Sequence, residues 1–247
     1  MRRLALALAP LALLAGCGGG AGNNTAAEGN SSAPLTAVAP PAGKTWMEVV
    51  SQTPEGGFRM GNPDAPLRLV EYGSRTCPTC GAFGREGMQP LQQQFVSTGK
   101  VSYEFRDFMV HGAPDLAAAL VGHCGGADPF FPFLEQMYIN QEETLNRLQK
   151  AQEVMARVQG QPPQVVATTL AEYLGYIDFA KQRGLPEEKV RACLKDQKAI
   201  DALVKMTEDA SNSGKVTGTP TFFLNDEPMA NVVSWSQMEA ALKARGA

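Results

Sequence analysis

No surplus of positive charge is present in this 247-residue chain: 22 Lys and Arg face 25 Asp and Glu, a net charge of -3 at pH 7. Without such a surplus there is little to neutralise a run of phosphates, which argues against nucleic acid as a partner. No apolar run reaches the ~20 residues that a membrane-spanning helix needs. Five cysteines are too few for a disulfide-scaffolded mini-protein, and a chain of this length with 44% hydrophobic residues buries a core without one. His111 and His123 are the only histidines, and no internal repeat is present. What remains is a mildly acidic globular protein whose chemistry depends on where its cysteines reside.

The N-terminus gives an address. Arg2 and Arg3 precede Leu4 to Ala15, a stretch made only of Leu, Ala and one Pro. A basic start, a short apolar run and small residues at the exit form a secretory signal, assigned to residues 1–16. Leu14-Ala15-Gly16-Cys17 resembles the bacterial lipobox, which implies lipidation of Cys17 and a lipid anchor in a membrane. The alternative is an ordinary cleaved signal with an incidental cysteine. Gly18, in place of the aspartate associated with inner-membrane retention, favours an outer-membrane anchor. Residues 17–43 hold one charge, Glu28, and two large apolar side chains, Leu35 and Val38, so they read as a disordered tether. The folded part is expected from Lys44 to the C-terminus, residues 44–247.

Four cysteines then remain: Cys77, Cys80, Cys124 and Cys193. Four allow three pairings, and spacing sets Cys77 and Cys80 apart as a C-x-x-C. Leu67 to Tyr72 alternates and is rich in strand formers, and Gly73-Ser74-Arg75-Thr76 reads as a loop. Cys77-Pro78-Thr79-Cys80 then runs into Phe83, Met88, Leu91 and Phe95 at helical spacing. Pro78 suits a first helical turn, where its missing N–H has no partner to lose. Free N–H groups and the positive end of the helix dipole favour a thiolate at Cys77, in a setting where cysteine pKa values fall to ~3.5–7.5. The i, i+3 spacing places Cys80 within disulfide reach. Gly81, Gly84 and Gly87 weaken this helix, and Pro90 should kink or interrupt it. Two other readings of the pair stand beside redox chemistry. One is half of a zinc site completed from His111, His123 and Cys124; the other is a structural disulfide closing a very small loop.

A second element lies near the C-terminus, where Thr219-Pro220 opens the strand-like Thr221-Phe222-Phe223-Leu224 and an X-Pro bond can be cis. Together the two elements resemble the thioredoxin superfamily, and more narrowly its exported DsbA-like thiol:disulfide oxidoreductases. Gly61-Asn62-Pro63-Asp64-Ala65-Pro66 looks like that family's usual lead-in to the first strand, and the resemblance covers roughly residues 44–245. It implies an α/β class, a thioredoxin fold with a large inserted α-helical subdomain at about 113–212. It implies catalysis by Cys77 and Cys80, with Glu71 matching a buried acid that modulates the cysteines; an exposed strand glutamate is the alternative. Pro78, Thr79, Thr219 and a cis Pro220 would hold the client peptide.

Further implications concern partners. Clients would be reduced or misoxidised exported proteins, and a membrane quinone-linked redox partner would reoxidise the pair. The redox-active disulfide is the only cofactor implied, with no metal, and the expected state is a monomeric, periplasmic, lipid-anchored protein. Two residues depart from the strongly oxidising pattern. Thr79 stands where those members carry His, and Thr219 where many carry Val, so reductase or isomerase activity is the alternative to oxidase. A non-catalytic peptide- or metal-binding lipoprotein is the rival from another class.

Inside the insertion, Leu116, Leu120 and Cys124 share one helical face. Val190, Cys193, Leu194, Ile200, Leu203 and Val204 trace another helix, and Val165–Ala180 a third. Both remaining cysteines lie on apolar faces, which predicts a buried Cys124–Cys193 disulfide, with two unpaired thiols as the alternative. Some DsbA-like proteins carry such a second disulfide. His123 should point off the apolar stripe and is given no role. Phe130-Phe131-Pro132-Phe133 is read as core packing in preference to a client groove.

Overall fold

The computed structural model describes residues 33–247. The signal sequence, the Cys17 lipidation site and the first part of the tether lie outside the described residues. Six strands form one mixed sheet: β1 Val50–Gln52, β2 Phe58–Gly61, β3 Leu67–Gly73, β4 Val101–Asp107, β5 Thr221–Leu224 and β6 Glu227–Pro228. Their spatial order is β1-β2-β4-β3-β5-β6. Central β3 runs parallel to β4 and antiparallel to β5. The parallel pair needs a crossover, and α1 (Pro78–Gln94) supplies it. Asn225 and Asp226, both at positive φ, form the two-residue turn between β5 and β6.

Between β4 and β5 lies the helical insertion: α2 Ala113–His123, α3 Phe130–Ile139, α4 Gln141–Leu148, α5 Gln152–Val158, α6 Pro163–Tyr173, α7 Tyr176–Lys181, α8 Glu187–Cys193 and α9 Gln197–Asn212. The last helix, α10 (Trp235–Ala244), packs beside α1. The architecture is a thioredoxin fold carrying an inserted helical subdomain.

Two main cores result. Leu69, Tyr103 and Phe222 from the sheet meet Phe83, Met88 and Leu91 of α1 and Met238 and Leu242 of α10. A second core gathers Leu120, Leu170, Ile177, Val190 and Leu203 from the insertion. Helix α3 joins them: Phe130 and Phe131 enter the sheet core while Phe133 enters the helical one. Cys124 and Cys193 form a disulfide with a Cα–Cα distance of 5.7 Å, tying the end of α2 to the end of α8.

Four expectations need correction. Pro90 lies inside α1, so of the kink or interruption expected the interruption does not occur, because buried Phe83, Met88 and Leu91 hold the helix to the sheet on both sides of the lost hydrogen bond. Val165–Ala180 is two helices, broken at Gly175, whose φ of 84° leaves the right-handed region. The stripe from Val190 to Val204 is likewise two helices, since Asp196 caps the second by accepting from the N–H groups of Lys198 and Ala199. The fold also begins before Lys44. Leu35 N–H donates to Gly246 O (2.8 Å), Val38 N–H to Thr98 O (2.9 Å), and the Trp46 indole to Val38 O (2.8 Å). Residues 35–38 are thus fastened to the domain: Leu35 packs against the sheet core, while Val38, its side chain exposed, is held through its backbone N–H and carbonyl.

Candidate active site

Alternation along β3 places Leu67, Leu69, Glu71 and Gly73 on the face covered by α1, and all four are buried. Beyond the strand, Ser74-Arg75-Thr76 leads into Cys77, the N-cap of α1, with Pro78 as first helical residue. The Cys77 sulfur accepts from the Cys80 N–H at 3.4 Å. As a thiol, Cys77 also donates to the Thr219 carbonyl at 3.3 Å, across from a cis Thr219–Pro220 bond. Pro78 and Thr79 are exposed, Cys77 keeps a narrow opening at 6% exposure, and Cys80 has none. Both cysteines are free thiols.

The electrostatics separate the two sulfurs. Cys77 is pushed down to about 5, chiefly by a hydrogen bond from the Cys80 thiol, then by Thr219 and the N–H groups of Cys80 and Thr79, against an opposing effect of burial. The Thr219 hydroxyl is buried without a hydrogen-bond partner among the described residues, which leaves it free to donate to a thiolate. Cys80 is pushed well up by burial, with contributions from Cys77 and the charge of Glu71. One sulfur, with a narrow opening to solvent, is therefore a thiolate at neutral pH and the other a sealed thiol.

Glu71 is buried at 1% exposure, which removes the exposed-strand alternative. Its Oε2 accepts from Tyr103 Oη, while Oε1 has no hydrogen-bond partner among the described residues. Burial pushes the carboxyl up to about 8, so it is mostly protonated at neutral pH.

A polar layer below the cysteines was not anticipated from the sequence. The buried Asp115 carboxylate accepts from Ser74 Oγ (2.6 Å), Thr76 Oγ1 (2.6 Å) and the His111 N–H (2.8 Å). With its proton given to Asp115, Thr76 Oγ1 accepts from His111 Nδ1 at 2.8 Å. Arg75 pairs with Asp107, and His123 Nε2 donates to the same carboxylate at 2.7 Å. The Arg75 guanidinium lies 5.3 and 5.5 Å from the ring centres of Phe105 and Phe130, which adds cation–π attraction. Burial and the neighbouring Arg75 charge hold His123 down to about 3, so it donates as a neutral imidazole. His123 points off the helical stripe as expected, toward Phe58 and Phe130 of the sheet core, but it is not without a role, because its Nε2 holds Asp107.

Gln141, at the corner between α3 and α4, donates from Nε2 to Cys77 O (2.8 Å) and Arg75 O (3.0 Å). Apart from the local His111–Asp115 contact, four residues apart, these contacts join residues 16 to 66 positions apart, which sequence spacing does not reveal. The zinc alternative loses its ligands to other duties: Cys124 is in the disulfide, His123 is on Asp107 and His111 is on Thr76. No three His, Cys, Asp or Glu side chains converge as metal ligands among the described residues.

Comparisons with known proteins agree with this geometry. The family model described as Thioredoxin matches residues 53–244. A Rickettsia bellii protein carrying the provisional name protein-disulfide oxidoreductase is 26% identical over 75% of this chain and 62% of its own length. Disulfide bond formation protein D of Bacillus subtilis is 23% identical over 74% of each chain. Among solved structures, the protein-disulfide isomerase from Novosphingobium aromaticivorans superposes with a TM-score of 0.71 at 28% identity, covering 75% of this chain and 95% of that one. The chain thus spans about three fifths of the length of the Rickettsia relative.

Proposed function

This chain belongs to the thioredoxin family, and from that premise we propose that it is a thiol:disulfide oxidoreductase exchanging its Cys77–Cys80 disulfide with protein thiols. The observation that carries the reading is the position of Cys77: an N-capping sulfur with a narrow opening to solvent, beside Thr219–Pro220, and a sealed partner three residues on.

In the oxidising direction a client thiolate attacks Cys77 Sγ of the disulfide, forming a mixed disulfide and releasing Cys80 as a thiolate. That thiolate is buried, so it takes up a proton; the protonated Glu71 beneath it is the donor in this reading. The client's second thiolate attacks the client sulfur of the mixed disulfide, and Cys77 leaves as a thiolate. Two electrons have passed from client to enzyme. Pro78, Thr79, Thr219 and Pro220 frame the opening through which the client backbone approaches.

The low value at Cys77 supports oxidase activity. Lowering a thiol from 9.0 to about 5 favours the reduced form at pH 7 by about two pH units. That is ~2.7 kcal/mol, or ~60 mV toward a stronger oxidant, before solvent screening. Reductase or isomerase activity is the second reading, favoured by Thr79 and Thr219. The N-terminal signal and Cys17 support a periplasmic, lipid-anchored protein on the outer membrane. Its clients are then exported proteins, a membrane quinone-linked partner reoxidises the pair, and the protein acts as a monomer without metal or organic cofactor.

Trapping tests the reading. Incubated with an oxidised client, C80S should accumulate a mixed disulfide at Cys77 that mass spectrometry locates, while C77S traps none. A C77S variant that retains full activity in oxidative refolding of a reduced client would overturn it.

A further inference from the structure

Gln141 comes from the helical insertion, yet its side chain ends beneath the first turn of α1. It is 2% exposed. The chemistry of its neighbours fixes its orientation: two carbonyl oxygens, of Arg75 and Cys77, lie at 3.0 and 2.8 Å from one end of the amide. Only the nitrogen can face two acceptors, so Nε2 donates both of its hydrogens and Oε1 points toward α1. There the chain carries Gly81, and a methyl group at that position would overlap Gln141 Oε1. Gly84 makes the same allowance for the Tyr138 ring, while a methyl at Gly87 would meet Trp235 and Phe83 only tightly, at 3.1 and 3.2 Å. The glycines that weaken α1 are thus sites of close approach, and Gly81 is matched to one side chain.

The two carbonyls sit on either side of Thr76 and Cys77. One is the N-cap carbonyl, which also accepts the first helical bond from Gly81 N–H at 3.0 Å. Holding both peptide planes fixes the backbone of Cys77, and with it the aim of its sulfur at the Cys80 N–H. Asp115 holds the side chains of Ser74 and Thr76 in the same segment, so the insertion grips the approach to Cys77 from two helices.

We propose that Gln141 is a positioning residue for thiol exchange: its amide locks the backbone of Cys77 in the N-cap conformation that stabilises the thiolate, and Gly81 leaves the space that this lock requires. The proposal rests on the reading of Cys77 as the reacting sulfur. A residue that merely stabilised the fold would alter unfolding and leave the ionisation of Cys77 where it was.

The test reads that ionisation directly. Full-length protein, reduced at Cys77 and Cys80, is alkylated with iodoacetamide from pH 3 to 9, and modification of Cys77 is followed by mass spectrometry. Q141M keeps the volume and removes the donors; its midpoint should rise by about one pH unit, a tenfold loss of rate below the midpoint. G81A, which displaces the amide, should shift the midpoint the same way. In the double variant G81A/Q141A the midpoint should equal that of Q141A alone, because the contact is already absent. Ala is the better helix former, so the double variant keeps the test open even where Q141M folds poorly. Unmoved midpoints in Q141M and G81A, or additive shifts in the double variant, overturn the proposal. A wild-type midpoint near that of a free thiol fails differently: it removes Cys77 as the reacting sulfur and with it the proposed function.

Discussion

Replacing Glu71 with Gln should make the protein more stable at alkaline pH, the reverse of what loss of a hydrogen-bonded buried side chain ordinarily does. The carboxyl is raised from 4.5 to about 8, first by burial. A raised acid binds its proton more tightly in the folded state. Its contribution is therefore intact below about pH 4.5 and is lost as pH rises through about 8. Integrating that window, folding the wild type becomes less favourable by roughly 4 kcal/mol between pH 4.5 and 8.

Gln keeps the shape and can still accept from Tyr103, without a proton to lose. Cys77 acts in the opposite sense, because its lowered value adds stability as pH rises from about 5. The disulfide form, in which neither Cys77 nor Cys80 titrates, is the right sample. Urea unfolding of oxidised wild type and E71Q from pH 5 to 8.5 should give curves that diverge with rising pH, ending about 3–4 kcal/mol apart in favour of E71Q. A difference that stays constant across this range, or an E71Q protein less stable at pH 8, refutes the reasoning.

Two further perturbations address the scaffold. Asp107→Ala leaves buried Arg75 without its counter-charge and His123 without its acceptor, and should lower unfolding free energy by about 3–5 kcal/mol. R75M/D107L should lose less than that; an Asp107→Ala loss below 1 kcal/mol, as for an exposed pair, contradicts the burial argument. Replacing Cys124 and Cys193 together by Ala opens a loop of sequence separation 69 and should lower stability by about 4 kcal/mol in the chain-entropy model. The alkylation midpoint of Cys77 should not move in that variant, and a shift there would tie the second disulfide to the redox site.

Much of the site was legible because its signals are local. The alternation of Leu67, Leu69 and Glu71 is a strand, Cys77-Pro78 is a helix start, and Thr219-Pro220 precedes a run of strand formers. The apolar stripes bearing Cys124 and Cys193 likewise brought those sulfurs together, although Cys193 is half-buried where a buried disulfide was expected. The outer strands were not read, since Val50–Gln52 and Phe58–Gly61 are short, and the second ends in a glycine at positive φ. Helix ends inside the insertion depended on single residues, Gly175 and Asp196, within longer apolar patterns.

The polar layer was invisible for another reason. Asp107, Asp115, His123 and Gln141 look like ordinary surface residues until the fold brings them against Ser74-Arg75-Thr76. Burial then forces each to find a partner. The sequence marked Cys77 and Cys80 as the candidate pair; the side chains that hold them in place come mostly from contacts far apart in the chain.

In the proposed function Cys77 and Cys80 cycle between dithiol and disulfide, with the dithiol favoured by the Cys77 thiolate. Equilibration with graded mixtures of reduced and oxidised glutathione, followed by acid quenching and mass mapping, tests it most directly. The expected result is one two-electron transition confined to the peptide bearing residues 77 and 80, at a potential above thioredoxin's ~-270 mV. A pair that stays dithiol across the whole range, or a transition carried only by Cys124 and Cys193, contradicts it.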